Sequence, residues 1–335
     1  MEIRSPQAKF IKFILGVMIS IIIPVFNADK YLPSCISSII LHENIDFEII
    51  LVDDGSTDES AKIIDSMALK DSRIISVHKQ NGGVGTARNV GLDIAKGDFV
   101  YFADADDMLY PNGLSKLLSH MKDGIDLVIG GYEEYYSDGS LKSGKKGDDI
   151  LTLSREDSIQ QLYKPTPYTY QGFIWNKLFR RKIIIDNHLR FDEDIIFNED
   201  RLFVANYISV QNGKTIYDFS PVYRYFIRDE SAMGSLKNGF NPKFVTDFIA
   251  LTRMKKIIKR TFHSHSLNAM SDDGILLSYF WIHQMMEQSG MINKSIHTFL
   301  KRELIKNTSL LFLLKERTHI LMSRLSSYQS TSLQK

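Results

Sequence analysis

Residues 47–60 read FEIILVDDGSTDES. Ile49, Ile50, Leu51 and Val52 form an unbroken apolar run, whereas a strand with one wet face alternates apolar and polar residues; an unbroken run requires cover on both faces. The run stops in Asp53-Asp54-Gly55, so the strand ends in a charged turn. Outward from it, short apolar runs alternate with helix-period segments between Ile19 and about Gly131: ISIIIPV, YLPSCISSIILH, FEIILVD, ESAKIIDSMALK, RIISVHK, GTARNVGLDIA, DFVYFAD, GLSKLLSHM and DLVIGG. That order predicts an α/β fold, with a Rossmann-like, mostly parallel central sheet flanked by helices. Ligands of such sheets sit outside the carboxyl ends of the strands, and here those ends carry the acidic and glycine-rich clusters.

Past Gly131 the pattern changes. YEEYYSDGSLKSGKKGDD is polar, with a turn signal at Asp138-Gly139 that predicts a hairpin or an exposed loop. A helical segment after Leu153, the run IWNKLFRRKIII, a second acidic cluster FNEDRLF, and a strand-like pair around Thr215 to Ile227 follow. The last ninety or so residues read as helical. The expected organisation is a dispensable extension over 1–17, a nucleotide-binding half over 18–131, an acceptor-facing half over 132–235, and a helical C-terminal extension over 236–335 ending in a basic amphipathic tail.

Composition excludes several function classes. Of 335 residues 44% are hydrophobic, enough for a large core, and Lys+Arg 41 against Asp+Glu 40 leaves no basic field for a nucleic-acid backbone. The single cysteine, Cys35, provides neither an internal disulfide nor a thiolate cluster, so any metal is held by oxygen. The apolar stretch Phe10 to Phe26 is broken by Lys12, Gly16, Ser20 and Pro24. Residues 18 to 26 are therefore expected to be a buried strand, with translation starting at Met18, and the stretch neither a signal nor a span of about 20 residues. The expected location is cytoplasmic. From Met291 to Lys335 there are eight Lys/Arg against two Asp/Glu, which predicts either peripheral contact with the inner face of the cell membrane or a tail helix packed on the catalytic domain or on a second subunit.

Four constellations carry chemistry. In DDGSTDES, Ser56 and Glu59 have capping-box spacing, while Asp53-Asp54 offer acceptors to a base or ribose edge. In NGGVGTARN, Gly82, Gly83 and Gly85 precede a helix and would let backbone amides approach a phosphate. Arg88 stands where a dinucleotide fingerprint needs its last glycine, so it is either an exposed helix arginine or a charge for a pyrophosphate. In DFVYFADADDM a strand ends in Asp104, Asp106 and Asp107; either alternation aims Asp104 and Asp106 the same way, and two converging carboxylates call for a hard cation, or the three form an acidic turn with capping aspartates before the helix after Pro111. In NEDRLF, Glu199 and Asp200 open a helix whose apolar face includes Phe203 and Val204, giving either dipole complements or a proton acceptor apart from the metal pair. Trp175 is either a sugar-stacking platform or a core aromatic.

Together IIIPVFNADKYL, VDDGSTDES, NGGVGTARNVGL, FADADD, WNKLF, NED and RDESAM resemble glycosyltransferase family 2, the inverting transferases of GT-A fold, over residues 19 to about 235. The resemblance implies that Pro24 and Phe26 lie beside the nucleotide base, that Asp54 contacts it, and that Arg88 faces the nucleotide. It implies that Asp104 and Asp106, flanking Ala105, form the D-x-D motif for Mg²⁺ or Mn²⁺. Asp200 would be the catalytic base, and Arg228 and Ser231 would lie near the leaving diphosphate. The donor it implies is a nucleotide-sugar, favoured as a UDP-sugar, and the acceptor a saccharide, expected to be linked to undecaprenyl diphosphate in bacterial polysaccharide assembly. An inactive nucleotide-sugar-binding subunit and a nucleotidyltransferase are the competing readings.

Overall fold

The computed structural model describes residues 16–40, 45–144, 149–164, 172–228, 239–291 and 293–308. Two compact units divide the chain: the first takes Met1–Glu193 and Phe203–Arg228, the second Asp194–Leu202 and Asp229–Lys335. Most of the N-terminal extension, Ser231 and the tail beyond Thr308 lie outside the described residues.

The first unit is built on a ten-stranded sheet. Its strands are β1 (Met18–Val25), β2 (Asp46–Asp53), β3 (Ile74–His78), β4 (Phe99–Phe102), β5 (Met108–Leu109), β6 (Ile125–Tyr136), β7 (Leu141–Gly144), β8 (Ile150–Leu153), β9 (Lys177–Arg180) and β10 (Lys214–Ile227). The order is β3-β2-β1-β4-β9-β6-β10-β5, with β7 on β6 and β8 on β10. β3, β2, β1 and β4 are mutually parallel, as the unbroken apolar runs predict. β9 runs antiparallel to both β4 and β6, while β6 and β10 are again parallel. The sheet is thus parallel from β3 to β4 and mixed beyond it. β1 lies between β2 and β4, so the strand order reverses there, and the crevice outside their carboxyl ends is where such sheets take ligands.

Helices α1 (Leu32–Ile40), α2 (Ser60–Lys70), α3 (Val84–Ile94), α4 (Gly113–His120), α5 (Arg155–Tyr163) and α6 (Arg181–Asp186) complete this unit with most of α7 (Glu199–Val210). The close seat of α3 on the sheet depends on Gly91, whose added Cβ would stand 2.3 Å from Ile22 Cγ2. The entry to β4 is fixed by a buried polar network. Ser20 Oγ donates to Glu48 Oε1 at 2.6 Å, the Lys96 amide donates to the same oxygen at 2.7 Å, and the Gly97 amide donates to Ser20 Oγ at 2.8 Å. Buried polar groups satisfied in this way leave the register of β1, β2 and β4 little freedom.

Several sequence expectations change. Glu59 is the residue before α2 and makes no side-chain cap, so the Ser56–Glu59 capping box does not form; Ser56 Oγ instead accepts the Asn27 amide at 3.1 Å. Gly85 lies inside α3 rather than before it. The expected strand pair at 215–227 is the single strand β10, irregular between Asp218 and Pro221. β6 runs unbroken through Gly131, where the two halves were expected to part. The turn at Asp138-Gly139 does form a hairpin, with the Gly139 amide donating to the Tyr136 carbonyl at 2.9 Å.

Among the described residues the second unit holds the helices α8 (Val245–Thr261), α9 (His265–Gln288) and α10 (Lys294–Asn307), packed on one another. Phe248, Met254, Ile258, Leu267, Ile275, Ile282 and Leu300 are buried there. No helix among the described residues is long and apolar enough to cross a membrane.

The Gly91 contact yields a stability test. Gly91→Ala forces a methyl group into Ile22, and overpacking of this kind costs about 1–3 kcal/mol. Its urea midpoint should fall accordingly, while an alanine at the open position Gly124→Ala, strained only by a positive φ of 77°, should cost less.

Candidate active site

The carboxyl edge of the parallel strands is assembled from four loops, one after each of β1, β2, β3 and β4. The β1–α1 loop is clamped to the β2–α2 loop: Asn27 Oδ1 accepts the Thr57 amide at 2.8 Å, Ser60 Oγ accepts the Ala28 amide at 2.9 Å, and Asp58 accepts the Asp29 amide at 3.1 Å. Pro24 pairs with Val52 in the sheet, and Phe26 stands at the crest with 51% of its surface exposed.

Parallel pairing brings Asp53 opposite His78. Asp53 Oδ1 accepts the Ser56 amide at 2.9 Å, and Oδ2 lies 3.1 Å from His78 Nδ1. Burial alone would raise the Asp53 carboxyl, yet the bonds from Ser56 and His78 hold it below its usual range. The next residue, Asp54, is buried and accepts from Lys79 Nζ at 2.5 Å, from the Gly82 amide at 3.0 Å and from the Gly83 amide at 2.8 Å. The glycine amides expected to meet a phosphate therefore meet the Asp54 carboxylate. Asp54 organises the glycine loop from within.

β4 ends at Phe102, and the Asp107 amide donates to the Asp104 carbonyl at 3.2 Å. Asp104 to Asp107 thus form a turn, so strand alternation does not set the directions of Asp104 and Asp106. Their side chains are 31% and 37% exposed, and Ala105 between them is buried. Arg88, expected as an exposed helix residue or a pyrophosphate partner, is 3% exposed. Its Nη2 lies 3.2 Å from Asp104 Oδ1, and its guanidinium lies 5.3 Å from the Phe191 ring centre. Arg228 Nη1 donates to Asp106 Oδ2 at 2.9 Å and approaches Asp107 Oδ1 at 3.7 Å, while its guanidinium stacks 4.1 Å from the Tyr31 ring centre. The turn is anchored by Tyr223, whose hydroxyl accepts the Asp104 amide at 3.0 Å.

Asp107 is buried; Oδ1 accepts the Phe226 amide at 2.8 Å, and Oδ2 has no hydrogen-bond partner. Burial, then the charges of Asp106 and Asp104, push its carboxyl well up. Among the described residues no group of three or more His, Cys, Asp or Glu is gathered as a metal cage. The donor set still fits a divalent cation completed by outside oxygens. Asp104 and Asp106 are two partly exposed carboxylates in one turn, and they offer oxygen donors of the kind such a cation takes.

Asp200 opens α7 behind Glu199, and Phe203 and Val204 are buried on the apolar face expected for that helix. Asp200 belongs to the second unit, whereas Pro24, Phe26, Asp54, Arg88, Asp104, Ala105, Asp106 and Arg228 belong to the first. Trp175 is a core aromatic: it is buried and stacks on Phe173 at 4.9 Å and Tyr223 at 4.5 Å. Lys177 beside it is wholly buried and donates to Asn176 Oδ1 at 2.9 Å. Sequence reasoning missed Tyr31, Lys79 and Tyr223. Lys79 was open to detection, because it follows β3 on the same edge as Asp54; the other two have no local signal.

Residues 20–186 match the model of Glycosyl transferase family 2. The chain is 30% identical over 243 residues to EpsH of Bacillus subtilis (strain 168), across 70% of this chain and 66% of that protein. It is 32% identical over 188 residues to the glycosyltransferase GlyG of Streptococcus pneumoniae serotype 4, across 53% and 62% of the two chains. The matched region therefore spans less than two thirds of either relative. In fold it is similar to residues 1–349 of TarS from S. aureus, solved in complex with UDP-GlcNAc. That likeness has a TM-score of 0.68 at 20% identity and covers 88% of this chain and 82% of the other.

The loop clamp predicts a pH dependence. Hydrogen bonds to Asp53 and Asp65 raise the His78 pKa above 6.5, so its contribution to stability is complete below about pH 6.5 and is lost as pH rises through the raised value. Asp53 and Asp65, whose pKa values are lowered, stay ionised across that window. The urea midpoint should fall between about pH 6 and pH 8.5 more in the wild type than in His78→Gln; equal slopes would reject the linkage.

Proposed function

The chain belongs to glycosyltransferase family 2, and from that premise we propose an inverting transferase that moves a sugar from a UDP-sugar to an acceptor hydroxyl. The carrying observation is the turn Asp104–Asp107 at the point where the strand order reverses. Three carboxylates and two arginines meet there beside a loop clamp. Arg228, two residues beyond Phe226 on β10, supplies a cation that can neutralise a departing diphosphate, and Arg88 holds Asp104 from the side of α3. Held by Asp104 and Asp106, Mg²⁺ or Mn²⁺ supplies further positive charge against the leaving group when bound. Pro24 and Phe26 border the base, and Asp54 fixes the glycine loop beneath it. Asp200 takes the proton from the acceptor oxygen as that oxygen attacks the anomeric carbon from the opposite face, and a single displacement inverts the centre. The UDP-GlcNAc bound to TarS supports a uridine donor.

The acceptor in this reading is a lipid-linked saccharide of bacterial polysaccharide assembly, and the sequence of the tail supports it. Lys306, Lys315, Arg317 and Arg324 alternate with Leu310, Leu311, Phe312, Leu314, Ile320, Leu321 and Leu325. Each basic residue near an anionic surface contributes about 1 kcal/mol. The full chain should sediment with anionic liposomes at low salt and be released at high salt; retention in the supernatant at low salt rejects membrane contact.

Turnover is tested by UDP release from a donor and acceptor panel in Mn²⁺. Asp106→Asn should abolish it with the far-UV spectrum unchanged, and full activity in saturating Mn²⁺ would overturn the metal assignment. Asp200→Asn should lower transfer by roughly 10²–10⁴ while UDP affinity holds. Loss of UDP affinity instead would move Asp200 to the nucleotide site.

A further inference from the structure

The segment Asp194–Leu202, which carries Asp200, clusters with the C-terminal helices. Its path is fixed by side chains of α8 and α9. Thr246 Oγ1 accepts the Ile196 amide at 3.2 Å and the Phe197 amide at 3.0 Å, and donates to the Lys243 carbonyl at 2.7 Å. Phe197 packs edge-on against Phe244, with ring centres 5.0 Å apart. The next residue, Asn198, is left-handed at φ 66°, a conformation that costs most residues energy and that asparagine tolerates.

Asn198 is where α7 begins. Its carbonyl accepts the Leu202 amide at 3.0 Å, the first bond of the helix. An asparagine there ordinarily turns its side-chain oxygen onto the helix amides. Here its side-chain amide donates to Asp247 Oδ1, and Ser278 Oγ donates to Asp247 Oδ2. Burial raises the Asp247 carboxyl, and Ser278, Arg201 and Asn198 oppose that shift. A carboxylate drawn into a helix interface costs stability unless its donors are well directed. These donors come from α9 and from the residue that starts α7, so the helix start is tied to both α8 and α9.

We infer that Asp247 and Ser278 are positioning residues for the transfer step: through Asn198 they fix the first turn of α7, and with it the direction of the Asp200 carboxylate. This rests on Asp200 being the proton acceptor. The C-terminal helices then serve the chemistry by holding its base. A proton acceptor misplaced by about 1 Å loses on the order of 10²-fold in rate, so a side chain that contacts no substrate can carry most of the catalytic effect.

Asn198→Gly keeps the left-handed backbone and removes the amide, while Ser278→Ala removes the second donor. Each should lower kcat by about 10- to 100-fold with UDP affinity unchanged by titration calorimetry. In an Asp200→Asn background neither should lower the residual rate further, because the group they orient is gone. Wild-type kcat in both variants, or losses that multiply undiminished in the Asp200→Asn background, would overturn the inference. If Asn198→Gly loses its helical far-UV signal, Ser278→Ala alone decides. Wild-type transfer by Asp200→Asn itself would instead reject the base assignment, a result distinct from failure of the positioning network.

Discussion

Repulsion among Asp104, Asp106 and Asp107 is the constraint around which the first unit is arranged. Three carboxylates within four residues cannot share one turn without countercharge and directed donors. Arg88 meets Asp104 from α3, Arg228 meets Asp106 from the end of β10, and the Phe226 amide meets Asp107. Tyr223 holds the backbone of the turn. One oxygen of Asp107 has no hydrogen-bond donor, and burial together with the charges of Asp106 and Asp104 pushes that carboxyl well up.

The same logic of strand ends governs the rest of the edge. Parallel strands deliver all their carboxyl termini to one side, so Asp53, His78 and Asp104 come from distant segments without any loop having to travel far. β2 and β3 set Asp54 beside Lys79, and the glycine loop folds onto that carboxylate. Its Gly82 and Gly83 amides are directed inward, onto Asp54. The aromatic cluster of Trp175, Phe173, Tyr223 and Tyr225 supports the opposite side of the turn. Tyr223 belongs to both, which couples core packing to the placement of Asp104.

The second unit has a separate task. Its own side chains Thr246, Phe244 and Asp247 hold the segment around Asn198, and with it the start of α7, where Asp200 stands.

Much of this was open to reading in the sequence, for a physical reason. Period-two and period-3.6 patterns report how each segment faces its surroundings, and unbroken apolar runs report burial on both faces. The parallel half of the sheet, the hairpin at Asp138-Gly139, the opening of α7 at Glu199 and the gathering of acidic residues at strand ends all follow from such local patterns. Tertiary structure decided the partners. Asp106 and Arg228 are 122 residues apart, Asn198 and Asp247 49, and Asp54 and Lys79 25. Local spacing cannot specify such pairs, because each depends on sheet order and helix seating. For the same reason Arg88, an unremarkable helix arginine in sequence, is buried against Asp104, and Trp175, a plausible sugar platform in sequence, is enclosed by neighbouring strands. Charge and periodicity along the chain determined which groups reach the edge; packing across the chain decided which of them remain available for chemistry.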